Sequence, residues 1–392
     1  NNSMQLKNLR RTKNIMRGPW QFLIQIINCI FKFLQSLWIK ATAPTIDFDN
    51  GRSVKIGPKI AEGGFSFVFE AYDQEGTKYA LKRIHVVGEI DMLQACLREA
   101  GIHRSLRHAC LMPILGLAQE RKSPSVVVYM LFPFMPQSLR AVVNEAIFPV
   151  ESNFTRKSRP AFRELQLLQL FHQIMSGVSA MHDAGYSHRD IKLENILLDS
   201  HGNPVLTDFG SAGPLEERVT SRSQLLTILD VASQHTTLPY RAPELLEAGG
   251  LRASLDDDVT IDFGKVDVWS LGCTLFAMCY GASPFECEFR NQGTIKIVEC
   301  TPLRILGRLP SGPPTWYSQG LWDSFQLLLT QERNSRPTLD EAMVEIETLI
   351  QKQGGRIPQS GTKPFTTTSI GKVIREDDDS DLDALLRTNR FV

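Results

Sequence analysis

The sequence predicts a mixed α+β protein, a small β-rich part followed by a larger helical part. Strand-like alternation and β-branched or aromatic runs fall mostly between residues 54 and 132. From residue 163 onward the long segments carry apolar residues at helical spacing. The body between them is globular in composition, the whole chain of 392 residues being 42% hydrophobic and 22% charged. Strands gathered early and helices late indicate an α+β arrangement rather than an alternating α/β sheet.

The elements follow in order. Phe65, Phe67 and Phe69 face one way and Ser66 and Val68 the other, the period of a strand. A turn at Gln74-Glu75-Gly76 leads to a second strand over 78–84. Residues 90–106 read as a helix, 126–132 as a buried strand, and 163–184 as a helix of five turns or more. Residues 195–198 and 204–208 read as short strands, and 266–280 and 339–352 as helices. The body runs over 54–350, with a smaller lobe over 54–135 and a larger one over 136–350. Residues 354–392, rich in Gly, Ser, Thr, Pro and then acids, have the composition of a disordered acidic tail.

Lys+Arg and Asp+Glu are each 43, so the net charge is zero and the basic excess of a nucleic-acid binder is missing. The seven cysteines are scattered at 29, 96, 110, 273, 279, 287 and 300 with no CxxC pair, which argues against a zinc module or a disulfide framework and for a reducing compartment. Nothing in the sequence sets the oligomeric state.

Residues 1–45 form a basic and then apolar block. Lys7, Arg10, Arg11, Lys13 and Arg17 precede the apolar segment 20–39. The polar residues of that segment, Gln21, Gln25, Asn28, Lys32, Gln35 and Ser36, fall on one narrow stripe at about 100° per residue. The segment reads as an amphipathic helix for a membrane surface, with Cys29 open to acylation. Docking on the body, spanning a bilayer, and service as a signal peptide (Ala41-Thr42-Ala43 resembles a cleavage site) stand as rivals.

Three motifs carry chemistry. Ala61-Glu62-Gly63-Gly64-Phe65-Ser66 lies between two strands, where small residues let backbone N–H groups approach phosphate oxygens; an ordinary hairpin turn is the competing reading. Tyr79-Ala80-Leu81-Lys82 sets a lysine on the next strand, and Glu99, on the helical stripe Met92, Cys96, Glu99, His103, is its candidate partner; an ordinary surface lysine is the alternative. His188-Arg189-Asp190-Ile191-Lys192-Leu193-Glu194-Asn195 is followed 13 residues after Asn195 by Asp208-Phe209-Gly210. That pattern makes a metal–phosphate site: Asn195 and Asp208 are hard oxygen ligands for Mg²⁺, Asp190 can accept a hydroxyl proton, and Lys192 can neutralise a moving phosphoryl group.

With these strings in hand, the sequence resembles the eukaryotic protein kinases over residues 54–350. Ala242-Pro243-Glu244 matches the end of that family's activation segment. Asp267 matches the buried aspartate behind the catalytic loop, and Arg336 the arginine that pairs with Glu244. Lys192, two residues after Asp190, is the serine/threonine form of the loop. Glu62-Gly63-Gly64-Phe65-Ser66, Leu131-Phe132-Pro133-Phe134, Gly185-Tyr186-Ser187-His188 and Tyr240-Arg241-Ala242-Pro243-Glu244-Leu245 are most similar to the Numb-associated kinases.

The resemblance implies a bilobal protein-kinase fold, ATP with Mg²⁺ (Mn²⁺ as a substitute), and transfer of the γ-phosphate to a serine or threonine hydroxyl of a protein substrate. It further implies autophosphorylation, a role in membrane trafficking, and a cytoplasmic protein peripheral on Golgi or endosomal membranes. In that resemblance Val68 and Ala80 sandwich the adenine, Phe132 is the gatekeeper, Pro133, Phe134 and Met135 form the hinge, and Lys82, oriented by Glu99, holds the phosphates. Thr237 sits where kinases bond their catalytic aspartate and lysine.

Two features depart from the pattern. Ala61 replaces the first glycine of the phosphate loop, and it is the sole support for the competing class, a pseudokinase scaffold that binds partners without turnover. Residues 248–264 are long for their place. Residues 225–231 suggest helix within the activation segment, whose hydroxyls at Thr220, Ser221, Ser223, Thr227, Ser233, Thr236 and Thr237 are all candidate phosphosites. Asn153-Phe154-Thr155 is a glycosylation sequon that a reducing compartment leaves unused. Asp381-Leu382-Asp383-Ala384-Leu385-Leu386 fits an acidic dileucine signal, a docking helix or plain disorder, and Ser380 amid acids suits an acid-directed kinase.

Overall fold

The computed structural model describes residues 44–63, 66–87, 90–122, 125–148, 160–246, 259–289, 295–310 and 316–358. The amphipathic block at 20–39, Cys29, Gly64, Phe65, the sequon at 153–155 and the acidic end of the tail lie outside the described residues. The described residues divide into two compact units, one of those up to residue 87 together with those between 115 and 134, the other of those between 90 and 114 together with those from 135 onward. As the sequence predicts, strands make up the first and helices dominate the second.

The first unit holds one six-stranded antiparallel sheet. Its strands are β1 (Thr45–Asp47), β2 (Ser53–Glu62), β3 (Ser66–Tyr72), β4 (Lys78–Val87), β5 (Gly116–Lys122) and β6 (Ser125–Pro133), in the order β1-β2-β3-β4-β6-β5. Alternation decides what each face does. Phe69, Leu81 and Leu131 stand opposite one another, as do Ala71 and Tyr79. Ala71, Tyr79, Leu81, Val127, Tyr129 and Leu131 form the unit's core with Phe48 and Val54. Val68, Lys82 and Met130 stand opposite one another on the other face, with Glu70, Ala80 and Phe132 beside them. The register therefore gathers Val68, Ala80, Lys82 and Phe132 on one side of the sheet.

The second unit begins with α1 (Ile90–Ser105) and resumes after β6 with the short strand β7 (Gln137–Ser138), α2 (Leu139–Ile147) and α3 (Glu164–Asp183). The Ser138 hydroxyl caps α2 by accepting from Ala141 N–H at 3.2 Å. Short strands follow: β8 (Tyr186–Ser187), β9 (Ile196–Leu198), β10 (Pro204–Leu206), β11 (Gly213–Pro214) and β12 (Glu216–Val219). Then come α4 (Arg222–His235), β13 (Val259–Asp262), α5 (Phe263–Tyr280), α6 (Gln319–Leu328) and α7 (Leu339–Lys352).

The core lies around α5, buried on nearly every side from Val266 to Tyr280. Its sequence is apolar all round rather than striped, as a central helix demands. α7 packs the one-sided set Leu339, Ala342, Ile346, Leu349 and Ile350, and starts in a capping box of Thr338 and Glu341.

Several predicted elements appear with small, physically explicable shifts. The predicted strand 195–198 starts one residue later because Asn195 closes a 3₁₀ turn (Leu193–Asn195). The predicted strand 204–208 ends at Leu206, and Asp208 has left-handed backbone with φ +66° and cannot extend a ladder. The apolar run 225–231 lies inside α4, capped by Ser221, with Leu225 and Leu229 buried. Part of the long stretch 248–264 gains an account: residues 259–262 are β13, which pairs antiparallel with β12.

Candidate active site

The second unit brings the predicted loop residues together. Asp190 is 7% exposed, and its carboxylate accepts four hydrogen bonds. Oδ1 accepts from the Thr237 backbone N–H at 3.0 Å and the Thr237 hydroxyl at 2.9 Å. Oδ2 accepts from Lys192 Nζ at 2.7 Å and Asn195 Nδ2 at 3.1 Å. Lys192 Nζ also donates to Thr237 Oγ1 at 2.7 Å, so one hydroxyl bridges the acid and the lysine. Donors on both oxygens fix the carboxylate's rotation.

The loop that carries these groups is strained and held. Arg189 has φ +69°, a left-handed conformation that costs a side-chain-bearing residue roughly 1–2 kcal/mol. Asp267 on α5, fully buried, offsets this. It accepts from the backbone N–H of His188 and of Arg189, each at 2.8 Å, and from His182 Nε2 at 2.9 Å. His188 accepts the Asp190 N–H on Nδ1 at 3.3 Å, so Nε2 carries the proton donated to Thr207 O at 3.2 Å.

Asn195 gives both its amide protons' direction to one neighbour: Nδ2 donates to Asp190 O at 2.8 Å as well as to Oδ2. That leaves its carbonyl oxygen as the atom it could offer a cation, a hard donor of the kind Mg²⁺ takes. Asp208 follows at the start of the 3₁₀ turn Phe209–Ser211. A side chain at Gly210 would stand 3.6 Å from Asp208 Oδ1 and 3.6 Å from Glu99 Oε2, so both carboxylates flank this glycine. Glu99 is 5% exposed on α1, and His103, one turn on, has Nε2 3.9 Å from its Oε1. His103 donates from Nδ1 to Met112 O at 2.8 Å and stacks on Phe209 with ring centres 4.1 Å apart. Phe209 meets His188 edge-on at 5.6 Å. Two imidazoles thus clamp the phenyl ring next to Asp208.

In the first unit, the turn at Glu62-Gly63 closes with Gly63 N–H donating to Ser66 O at 2.8 Å. Ala61 stands opposite Val68, beyond a register irregularity between Lys59 and Ala61. Val68, Ala80 and Lys82 share a sheet face as described. Pro133 ends β6 opposite Tyr79, whereas Phe134 and Met135 lie outside the ladder, leaving their peptide groups for other partners. Lys78 Nζ sits over the Phe134 ring at 3.9 Å.

Sequence reasoning missed His182 and Arg140, and gave His103 only as part of the helical stripe of Glu99. Arg140 Nε donates to Glu194 Oε1 at 2.8 Å, Nη1 to Gly281 O at 2.7 Å and Nη2 to the Tyr240 hydroxyl at 3.2 Å, tying α2 to the catalytic loop and the activation segment. No local pattern announces such a residue, because its partners are 54, 141 and 100 positions away. The expected pair of Arg336 and Glu244 is present and bidentate, at 2.7 and 3.0 Å, with both residues buried. Among the described residues no cluster of three or more His, Cys, Asp or Glu could hold a metal, and no helix is long and apolar enough to cross a membrane.

Comparison with known proteins agrees with this geometry. Residues 54–345 match the family profile described as "Protein kinase domain". The chain is 32% identical over 306 residues to "Serine/threonine-protein kinase 16" of Homo sapiens and of Mus musculus, covering 78% of this chain and 92% of each relative. It is 28% identical over 362 residues to "Serine/threonine-protein kinase ppk13" of Schizosaccharomyces pombe, covering 81% of this chain and 100% of that one. An aspartate held by lysine, asparagine and threonine on a loop pinned by a buried second aspartate is thus set in a chain that belongs to the protein kinase family, as a serine/threonine protein kinase.

Proposed function

We propose the following division of labour for transfer of the ATP γ-phosphate to a protein serine or threonine. Asp190 orients the incoming hydroxyl and takes its proton, and Lys192 supports the transferred group. Thr237 keeps these two side chains in register. Asn195 and Asp208 hold Mg²⁺, or Mn²⁺ in its place, and their oxygen donors fit such an ion. The ion, when bound, supplies positive charge to the phosphate oxygens. Lys82, aided by Glu99, and the 61–66 turn (Ala61, Glu62, Gly63, Gly64, Phe65, Ser66) hold the phosphates. Val68 and Ala80 flank the adenine, and Pro133, Phe134 and Met135 present backbone groups to its edge.

The observation that carries this reading is the four-donor cage on Asp190, completed by Thr237 from 47 positions away. The test is radiolabelled transfer with Mg²⁺ or Mn²⁺, autophosphorylation included. Asp190→Asn and Lys82→Met each remove transfer, by about 10²–10⁴-fold for loss of the base, with the melting transition retained. Wild-type rates in Asp190→Asn would refute the assignment.

The same reading places the chain in the Numb-associated branch, with autophosphorylation, a trafficking role and protein substrates met at Golgi or endosomal membranes. Its support is the set of strings from Glu62-Gly63-Gly64-Phe65-Ser66 to Tyr240-Arg241-Ala242-Pro243-Glu244-Leu245, and the amphipathic pattern of 20–39. Fractionation of a fluorescent fusion with and without residues 1–45 tests it. Membrane recovery is expected only with the block, and two soluble fusions would sink the membrane reading.

A further inference from the structure

Arg189 sits immediately before Asp190, and its side chain is built into a pocket rather than left to solvent. Its guanidinium lies over the Phe263 ring with 3.6 Å between centres. Nε donates to the Ser187 hydroxyl at 3.0 Å, and Nη2 donates to Pro214 O at 2.6 Å and to Glu217 Oε1 at 2.7 Å. Side-chain exposure is 14% for Arg189 and 27% for Glu217. The fit is tight on the remaining side too, since a Cβ on Gly213 would fall 2.7 Å from Arg189 Cζ.

Glu217 is itself fixed by backbone. It lies on β12, opposite Ile261 of β13, and β13 runs directly into α5, which supplies Phe263 and Asp267. Phe263 and Asp267, four residues apart on α5, hold the side chain and the backbone N–H of the residue that precedes the catalytic aspartate, and Glu217 reaches the same side chain from β12, the strand paired with β13. A half-buried guanidinium in so apolar a setting needs a counter-anion. Here the chain encodes one as a carboxylate.

Several hydroxyls of the same segment have structural duties, while Ser223 and Ser233 are exposed. Ser211 donates to His235 O at 2.8 Å, Ser221 caps α4, Thr220 bonds Gln224, and Thr236 donates to Ala232 O at 2.7 Å and accepts from Arg241 Nε at 2.8 Å. Thr237 is spent on Asp190 and Lys192.

We propose that Glu217 is a positioning residue whose carboxylate serves as the built-in counter-anion of Arg189, so that this kinase turns over without a phosphate on its activation segment. The proposal rests on the reading of Asp190 as the residue that meets the substrate hydroxyl. A permanent Arg189–Glu217 bond holds β12 against the catalytic loop in every molecule, and a phosphate added in the segment finds this arginine already engaged.

The test uses the full chain, phosphatase-treated and shown phosphate-free by intact mass, with radiolabelled ATP, casein as protein substrate, and Asp190→Asn as the blank. Phosphate-free wild type should keep at least about half the kcat of untreated protein. Glu217→Gln should lose roughly tenfold in kcat with KM for ATP and melting temperature nearly unchanged, and Glu217→Asp should recover to within about threefold of wild type. A tenfold loss on phosphatase treatment that re-phosphorylation restores would overturn the proposal. So would wild-type kcat in Glu217→Gln, or equal losses in the Gln and Asp variants. If Glu217→Gln melts below the assay temperature, the phosphatase arm and Glu217→Asp decide. Wild-type transfer no faster than the blank would bring down the catalytic reading first, before any Glu217 variant is compared, and this proposal with it.

Discussion

Replacing Thr237 by valine tests the site at one atom. The two side chains have nearly the same shape, so the change removes a hydroxyl and adds a methyl. That hydroxyl donates to Asp190 Oδ1 at 2.9 Å and accepts from Lys192 Nζ at 2.7 Å. Two links survive, the Thr237 backbone N–H to Oδ1 at 3.0 Å and Lys192 to Oδ2 at 2.7 Å. The net deficit is therefore that of about one hydrogen bond to a charged group, roughly 1.5–3 kcal/mol. Each ~1.4 kcal/mol is a factor of ten, so kcat/KM should fall about 10–150-fold. Steady-state transfer from ATP to casein measures it. Thr237→Ser keeps the hydroxyl and should return to within about threefold of wild type. If Thr237→Val kept more than half of wild-type kcat/KM, or if serine were as poor as valine, the bridging role argued for this residue would be wrong.

Two further perturbations address the scaffold. Arg336→Met strands the buried Glu244 carboxylate, along with the Thr330 and Lys265 carbonyls that Arg336 bonds at 3.0 and 2.9 Å. Breaking one side of such a pair costs about 3–5 kcal/mol out of a total of about 5–15, and Arg336→Met/Glu244→Gln should recover part of it in urea unfolding; a loss under about 1 kcal/mol would contradict the burial argument. Burial pushes the thiols of Cys110 and Cys287 from 9.0 up to about 12 each. The unfolded chain ionises them first, so their contribution is intact below about pH 9 and is lost as pH climbs from there toward 12, at about 1.4 kcal/mol per pH unit for each thiol. Cys110→Ala should make the unfolding free energy less steep by about that amount between pH 9.5 and 10.5, and an unaltered slope would count against it.

Much of the catalytic loop was legible in the linear chain because its parts are close together. Asp190, Lys192 and Asn195 lie within six positions, and the structure joins them by direct hydrogen bonds. Helix 339–352 was legible for a similar reason, since cap and apolar stripe are both local. Arg140 and His182 were not, because a lone arginine or histidine in a helix has the same local sequence whether it faces solvent or a carbonyl in a distant loop. Residues 248–264 were opaque because a four-residue strand acquires its meaning only from the partner it pairs with.

The sequence by itself determined the composition of the site and the order of elements, because residue type fixes hydrogen-bonding capacity and periodicity fixes which face turns inward. The contact of Thr237 with Asp190 was already implied by the resemblance, but only the tertiary structure decided that Asp267 carries the strain of Arg189 and that Glu217 answers its charge. Each of those bonds joins groups dozens of positions apart, and separation along a chain says nothing of separation in space until the core around α5 has packed.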